Sequence, residues 1–267
     1  MWWSIDCFVL CNDYTMQRFY VTFPLTIDLT LTDSDIVYQL TRVMRAEIGD
    51  EILLFDGDGS ETIYEIQAVT KKSLTLRGKG RKFPKTESVT QITLYQAMPN
   101  KLEKLEYILQ KWVEVGIRKF VFFRSDFSQK LILSDAKKAR LTTIAREALE
   151  QCGGLVMPSI SFIDGVSAFR HSEAWRIQDF RGTEHRSFVP QDDERVHIVL
   201  DTTGISLKIQ EIPKKCEIGI WVGPEGWWSE KERIEMRKNG FIFARFWERV
   251  LRTETAGVVM AFALLHA

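Results

Sequence analysis

The hydrophobic pattern of the chain changes near Val89, and this change limits the possible folds most strongly. Before it, from Arg18 to about Lys85, short runs rich in β-branched and aromatic residues are separated by turn residues, which is typical of strands. After it, strand-like runs alternate with longer segments that carry an apolar stripe at helical spacing. Such alternation predicts a parallel sheet wrapped by helices. We therefore expect a small N-terminal β-barrel followed by an α/β domain.

Three segments of the first part have specific signals. The sequence DGDG, residues 56–59, predicts a hairpin between two strands. Apolar residues recur at helical spacing from Ser34 to Arg45, which predicts a helix between the strands. The segment RGKGRKFPK, residues 77–85, carries five cations. It is either a solvated linker or a patch that contacts RNA phosphates without reading the sequence.

The second part predicts four helices and five strands. Ser134 is expected to cap one helix, and Ser229 with Glu232 forms the capping-box pattern of another. Residues 170–195 are polar and poorly periodic, which indicates surface loops. The predicted strands are QITLYQAM, KFVFF, HIVLD, EIGIWV and FIFARF, and the predicted helices are NKLEKLEYILQKWVEVG, SDAKKARLTTIAREALEQCGG, SEKERIEMRKNG and TETAGVVMAFALLHA.

Composition excludes several classes of protein. Lys plus Arg and Asp plus Glu both total 36, so any nucleic-acid binding must come from a local patch. No run approaches the ~20 apolar residues of a membrane span.

The N-terminus lacks the basic region of a signal peptide, and the first fifteen residues are either an extension upstream of a start at Met16 or a genuine added strand. The scattered cysteines favour a reducing cytoplasm, and Cys7 and Cys11 have no second ligand pair that would predict a metal site.

Two unusual loops follow the last two predicted strands. Ligands of parallel sheets bind at the carboxyl ends of strands, so these loops are expected to form one pocket. In the first, GPEG after Val222, Gly223 and Gly226 would let a ligand approach the backbone, although GPEG alone is also an ordinary turn. In the second, WERVLRTETA, arginines supply positive charge, and Thr253, Glu254 and Thr255 can cap the last helix.

Motifs of classical catalysis are absent from the sequence. It contains no GxxxxGK[ST], no helix-opening GxGxxG, no HExxH and no GxSxG. His171, His185, His197 and His266 are scattered and are interpreted as surface or hydrogen-bonded residues rather than metal ligands. Nucleophilic and metal chemistry therefore have little support.

The chain resembles the SPOUT-class RNA methyltransferases, and more closely the RsmE family, in two motifs. These are VGPEG, which is followed by a serine-glutamate helix start, and RVLRTETA near the C-terminus. QRFYV, VMRAEIGDEILLFDGDG, QAMPNKLEKLEYILQKWVEVGI and AREALEQCGG follow in that family's order. The resemblance implies methylation of N3 of a uridine in small-subunit (16S) ribosomal RNA, with S-adenosylmethionine as cofactor. It also implies an N-terminal extension (1–16), a PUA-like RNA-binding β-barrel (17–86) and a SPOUT α/β domain (87–267) with a C-terminal trefoil knot, acting as a homodimer.

The resemblance also implies roles for individual residues. Because uridine N3 carries a proton, the site needs a base or a stabilising cation. Arg252 is the candidate for charge stabilisation and Glu225 or Glu254 for orientation or proton removal, and a salt bridge or helix cap is the alternative for each. Cofactor contacts are expected at Leu200, Val222, Gly223, Pro224, Glu225, Gly226, Phe246, Arg249, Val250, Leu251, Arg252, Thr253 and Ala256. RNA contacts are expected at Arg18, Arg45, Arg77, Lys79, Arg81 and Lys82.

This chain departs from the family at the edge of the expected pocket. Trp227 stands where the family usually has glycine, Phe246-Trp247 where it has Leu-Gly, and Phe127 where it has an arginine. Trp227 and Trp228 are interpreted either as stacking platforms for a base or as buried dimer contacts. Two other functions stay open: a non-catalytic RNA-binding or ribosome-assembly protein that keeps the knotted fold, and a purely structural dimer.

Overall fold

The structure is a computed structural model that describes residues 16–129, 131–166, 195–206, 209, 212, 217–245 and 248–266. The predicted N-terminal extension except Met16, and the predicted surface loops of residues 170–195 except Arg195, lie outside the described residues. The chain divides after Lys85 into two compact units.

The first unit is built on strands, as predicted. Its described strands form one sheet in the order β1-β3-β4-β5-β2, in which β1 and β3 are parallel and the other neighbours are antiparallel. The hairpin prediction is confirmed, because β3 and β4 are antiparallel neighbours and Gly57 and Gly59 between them have positive φ angles. The strands are β1 Gln17–Tyr20, β2 Asp28–Leu31, β3 Glu51–Phe55, β4 Glu61–Val69 and β5 Leu74–Lys82.

The predicted helix of this unit is shorter than expected and changes its geometry. Helix α1 spans Ser34–Tyr38 and continues as a π-helical turn over Gln39–Val43. The side chain of Asp33 caps its start by accepting hydrogen bonds from the main-chain N–H groups of Asp35 and Ile36. Arg45 then adopts a φ of 57°, in the left-handed region that ends a helix. Ile36, Val37 and Leu40 lie in the core of the sheet.

The second unit contains the predicted parallel sheet. Its described strands have the order β11-β9-β10-β6-β7-β8, and every neighbouring pair is parallel. Strand β8 was not predicted, and β9 lies between β10 and β11. The strands are β6 Gln91–Ala97, β7 Lys119–Phe123, β8 Ser159–Ile163, β9 Val196–Ser206, β10 Glu217–Val222 and β11 Ile242–Arg245.

The four predicted helices of the second unit are present: α2 Leu102–Glu114, α3 Asp135–Cys152, α4 Glu230–Lys238 and α5 Thr253–His266. Ser134 caps α3 and a complete capping box opens α4, which confirms both predictions. Gly257 of α5 packs directly on α2, because a Cβ at this position would lie 1.8 Å from the ring of Trp112. No helix among the described residues is both long and apolar enough to span a membrane.

An aromatic layer fills the core of this unit along one face of the sheet, and we define it as Tyr95, Phe123, His197, Trp221, Trp228 and Phe241. The rings of Tyr95 and Trp221 stack with centroids 4.2 Å apart. The indole of Trp221 donates to Nδ1 of His197 at 3.0 Å. Burial lowers the pKa of His197 from 6.5 to about 4, with a smaller contribution from Arg195. The interpretation of His197 as a hydrogen-bonded residue is confirmed.

Candidate functional site

The first loop, residues 223–229, leaves β10 at Val222 and leads into α4. The start of α4 is fixed to the loop after β7. The buried carboxylate of Glu232 accepts hydrogen bonds from Ser125 Oγ at 2.7 Å, Asp126 N at 3.2 Å and Ser229 N at 2.9 Å. The hydroxyl of Ser229 donates to Asp126 at 2.6 Å. The capping box therefore joins two loops at the carboxyl edge of the sheet as well as beginning a helix.

The two glycines of this loop make room for aromatic residues of the chain itself. A Cβ at Gly223 would lie 3.0 Å from the ring of Trp228, and a Cβ at Gly226 would lie 3.0 Å from Cβ of Phe127. The side of each glycine on which a Cβ would lie therefore faces an aromatic side chain. A side chain at either position would crowd these rings. The expectation that the glycines let a ligand approach the main chain stays a prediction.

The two neighbouring tryptophans have different roles in the fold. Trp228 is only 4% exposed, stacks on Phe123 with centroids 5.8 Å apart, and donates from its indole to the Leu200 carbonyl at 3.4 Å. Trp227 is 44% exposed and has a φ of 66°. Glycine adopts this conformation without strain, which explains physically why a glycine suits this position in the resembling family. The interpretation of Trp228 as an exposed stacking platform is therefore wrong.

The second loop meets the first. Phe246 and Trp247 lie outside the described residues, and Arg249 and Val250 beyond them are exposed. The carbonyl of Arg252 accepts from Ala256 N at 2.8 Å and begins α5. The hydroxyl of Thr253 donates a hydrogen bond to the carbonyl of Gly223 at 3.4 Å, and this bond joins the two loops. The two loops are thus in contact although β9 separates β10 from β11 in the sheet.

The charged candidates differ in their surroundings. Glu225 pairs with Lys104 of α2 at 2.8 Å. Partial burial raises the pKa of Glu225, but hydrogen bonds from Lys104 and from main-chain N–H groups, with the charge of Lys104, outweigh it and lower the pKa overall. This carboxylate stays ionised and is a weak base. Among the described residues, no ion pair involves Arg252, which is exposed, or Glu254 in the first turn of α5.

Two amide oxygens near the first loop have no hydrogen-bond partner within the described part of the chain. Gln96 is fully buried at the carboxyl end of β6, opposite Val222 in the register. Its Nε2 donates to the Ala97 carbonyl at 3.0 Å, which leaves Oε1 unpaired. Oδ1 of Asn100 is unpaired too. Unpaired buried acceptors cost about 1–3 kcal/mol each, so they fit a site that receives a ligand with N–H or O–H donors.

Sequence reasoning missed these amides. A polar Gln96 within the otherwise apolar ITLYQAM was the available signal. No group of three His, Cys, Asp or Glu side chains among the described residues could hold a metal ion.

Three of the six cations predicted to bind RNA are paired with carboxylates of the first unit. Arg18 is buried, pairs with Glu61 at 3.0 Å and lies over the ring of Phe55, so its expected RNA contact is replaced by a structural role. Lys79 pairs with Glu65, and with Glu51 at 3.2 Å. Arg81 pairs with Asp58. Arg77 and Lys82 are exposed on β5.

A second basic surface surrounds the π-helical turn. Arg45 is exposed with its left-handed backbone, and Arg42 is exposed beside it. The ring of Tyr38 is 63% exposed. Ion pairs of Arg42 or Arg45 with a carboxylate are absent from the described residues. Sequence reasoning identified Arg45 but missed Tyr38 and Arg42, although the spacing in YQLTRVMR places an aromatic residue among cations.

Comparison with known families identifies the class of protein. A family model described as an RNA methyltransferase domain matches residues 86–265, and one described as an RNA methyltransferase PUA domain matches residues 40–77. The chain belongs to the RNA methyltransferase family.

Individual relatives are similar to this chain over most of its length. The chain is 28% identical over 240 residues to Ribosomal RNA small subunit methyltransferase E of Bacillus subtilis, covering 86% of this chain and 87% of that protein. It is 29% identical over 256 residues to the protein of the same name from Buchnera aphidicola of Acyrthosiphon pisum, covering 95% and 90%. The crystal structure of the Neisseria gonorrhoeae enzyme bound to S-adenosyl methionine superposes with a TM-score of 0.75 and 26% identity, covering 93% of this chain and 96% of that one.

Proposed function

We propose that this protein is an S-adenosylmethionine-dependent methyltransferase that methylates N3 of a uridine in small-subunit (16S) ribosomal RNA. The observation that carries the proposal is the contact between Thr253 and the carbonyl of Gly223, which joins the two loops at the carboxyl edge of a parallel sheet. The similarity to Ribosomal RNA small subunit methyltransferase E proteins over most of their length supports the substrate.

The cofactor would be held by both loops. S-adenosylmethionine, when bound, supplies an electrophilic methyl group. The main chain of the first loop and the exposed arginines of the second would bind and orient it, and the unpaired oxygens of Gln96 and Asn100 are suited to accept hydrogen bonds from N–H donors. The proposed contacts are Leu200, Val222, Gly223, Pro224, Glu225, Gly226, Phe246, Arg249, Val250, Leu251, Arg252, Thr253 and Ala256.

The reaction needs alignment and charge stabilisation rather than a metal. Arg252 is proposed to stabilise the negative charge that develops on the uracil as N3 loses its proton, because its guanidinium is exposed beside the loops. The ion pair with Lys104 favours an orienting role for Glu225, since a carboxylate with a lowered pKa is a poor proton acceptor. Glu254, without such a pair among described residues, is the better candidate base.

The first unit, proposed to be a PUA-like barrel over residues 17–86, would bind the ribosomal RNA. Arg42 and Arg45, which have no carboxylate partner among the described residues, can contact phosphates, and Tyr38 offers a ring on which a base can stack. Arg77 and Lys82 would add contacts, whereas Lys79 and Arg81 would first have to leave their carboxylate partners. We further propose that residues 87–267 form the SPOUT domain with a trefoil knot, and that the enzyme acts as a cytoplasmic homodimer.

Calorimetry and methyl transfer test the proposal together. The wild-type protein should bind S-adenosylmethionine and transfer its methyl group to small ribosomal subunits that lack 3-methyluridine. Arg252→Ala should lower the rate at least about tenfold, as expected for loss of one charge-stabilising group. Arg245→Ala, which removes a half-exposed arginine paired with Glu248, is the matched control and should change the rate little. RNA binding without methyl transfer by the wild type would instead favour an assembly protein.

A further inference from the structure

We propose that Trp227 and Phe127 form an aromatic clamp that holds the target pyrimidine base of the RNA. This inference rests on the proposed function and names the residues that would present the base to it. The clamp belongs to this chain in particular, because both positions differ from the residues expected from the family resemblance.

The location of the two rings supports this role. Trp227 lies in the loop after β10 and Phe127 in the loop after β7, and these two strands flank β6 in the sheet. The loops touch, since a Cβ on Gly226 would lie 3.0 Å from Cβ of Phe127. Both rings thus stand at the carboxyl edge, beside the loop that meets Thr253.

The exposure of the rings is the second observation. Phe127 is 55% exposed and Trp227 is 44% exposed, whereas the neighbouring Trp228 is buried. Part of each side chain is therefore accessible to a ligand. A pyrimidine turned out of folded RNA is recognised by stacking on an aromatic ring, and stacking is strong even without hydrogen bonds.

The backbone of Trp227 is the third observation. Its φ of 66° is strained for a residue with a side chain. The turn itself needs only the main-chain N–H of residue 227, which donates to the Pro224 carbonyl at 3.0 Å. A glycine would supply this N–H without strain. The hydrogen bond of the turn therefore does not need the indole, and the exposed part of Trp227 is accessible to a ligand.

The clamp is also held in place before a ligand arrives. Ser229 and Glu232 tie the first loop to Ser125 and Asp126, close to Phe127 in the chain. Lys104 holds Glu225 two residues before Trp227. Binding to a preorganised surface avoids the entropic cost of ordering the loops.

Four variants test the clamp: Trp227→Gly, Trp227→Phe, Phe127→Ala and, as a control, Ile234→Ala. Ile234 of α4 is an apolar residue with a similar exposure of 45% and belongs to no proposed contact. Methyl transfer to small ribosomal subunits lacking 3-methyluridine gives KM for the RNA, and calorimetry gives Kd for S-adenosylmethionine.

Trp227→Gly should raise KM for the RNA about tenfold, since a base loses one stacking partner, while Kd for the cofactor changes less than about twofold. Trp227→Phe should keep KM within about threefold of the wild type, Phe127→Ala should raise it, and Ile234→Ala should leave it unchanged. The thermal midpoint of Trp227→Gly should not fall, so that a higher KM cannot be attributed to unfolding.

An unchanged KM in Trp227→Gly would overturn the clamp, and so would a parallel loss of cofactor affinity, which would assign the ring to the cofactor site. If the wild type transfers no methyl group at all, the proposed function fails. The clamp is then tested by the affinity of the same variants for a short oligouridine. A weaker affinity in Trp227→Gly and Phe127→Ala would uphold it, and equal affinities would overturn it.

Discussion

The buried aromatic layer lies along one face of the sheet, whereas the exposed pair Trp227 and Phe127 lies in loops at its carboxyl edge, and the two regions differ in their bonding. Within the layer, rings stack on one another, and the polar atoms of His197, Trp221 and Trp228 are hydrogen-bonded. The exposed pair has no comparable ring partners among the described residues, and Trp227 is strained. Changes in the layer should therefore cost stability, and changes in the exposed pair should cost RNA recognition.

The largest expected effect is that of Trp228→Ala. Removing this buried ring leaves a cavity against Phe123 and Gly223, so the free energy of unfolding should fall by about 3–5 kcal/mol. Urea denaturation measures the change, and Trp228→Phe should cost less because a ring remains. A loss below about 1 kcal/mol would mean that Trp228 is not part of the core.

The next effect is an acid instability caused by His197. Its folded pKa of about 4 lies below its unfolded value of 6.5, so protons bind preferentially to the unfolded chain. The stability contributed by neutral His197 is fully present above pH 6.5 and is lost as the pH falls toward 4. The loss should reach roughly 3 kcal/mol, from about 1.4 kcal/mol per pKa unit. His197→Gln should remove this part of the pH dependence in denaturation curves between pH 7 and 4.

A smaller loss is expected where α5 packs on α2. Gly257→Ala places a methyl group against the ring of Trp112, so the helices must separate or the ring must move. Overpacking of this kind costs about 1–3 kcal/mol, of which alanine recovers about 1 kcal/mol because it is a better helix former than glycine. Ala263→Gly in the same helix is a control without added volume and should cost about 1 kcal/mol through helix propensity. A Gly257→Ala protein about 1 kcal/mol more stable than the wild type would contradict the close packing.

The smallest effect on stability, and one of opposite direction, is expected for Trp227→Gly. Relief of the left-handed backbone should offset the loss of the half-exposed ring and the greater freedom of glycine in the unfolded chain. The free energy of unfolding should stay the same or rise by up to about 1 kcal/mol. A fall of about 2 kcal/mol in urea denaturation would place Trp227 with the buried layer and remove the contrast between the two regions.

Local features of this fold were predictable, and long-range ones were not. The capping box of Ser229 and Glu232 and the hairpin at 56–59 follow from residues close in sequence, and the structure confirms them. The position of β9 between β10 and β11 depends on pairing between distant segments, which periodicity does not encode. Arg18 looked like a surface cation because its partner Glu61 is remote in the sequence.

The same limit applies to the candidate site. Sequence reasoning identified both loops, and the structure adds that Thr253 joins them. It could not distinguish Trp227 from Trp228, since the difference depends on one backbone angle and on which ring reaches Phe123. Phe127 and Gln96 were brought beside the first loop only by the order of β10, β6 and β7.

Mass spectrometry of ribosomal RNA nucleosides tests the central claim most directly. Small-subunit RNA would be compared between cells with and without this gene, and in deletion cells that express either the wild type or Arg252→Ala. We expect 3-methyluridine to be lost in the deletion, to return with the wild-type protein and to return little or not at all with the variant. Unchanged 3-methyluridine in the deletion would contradict the proposed activity.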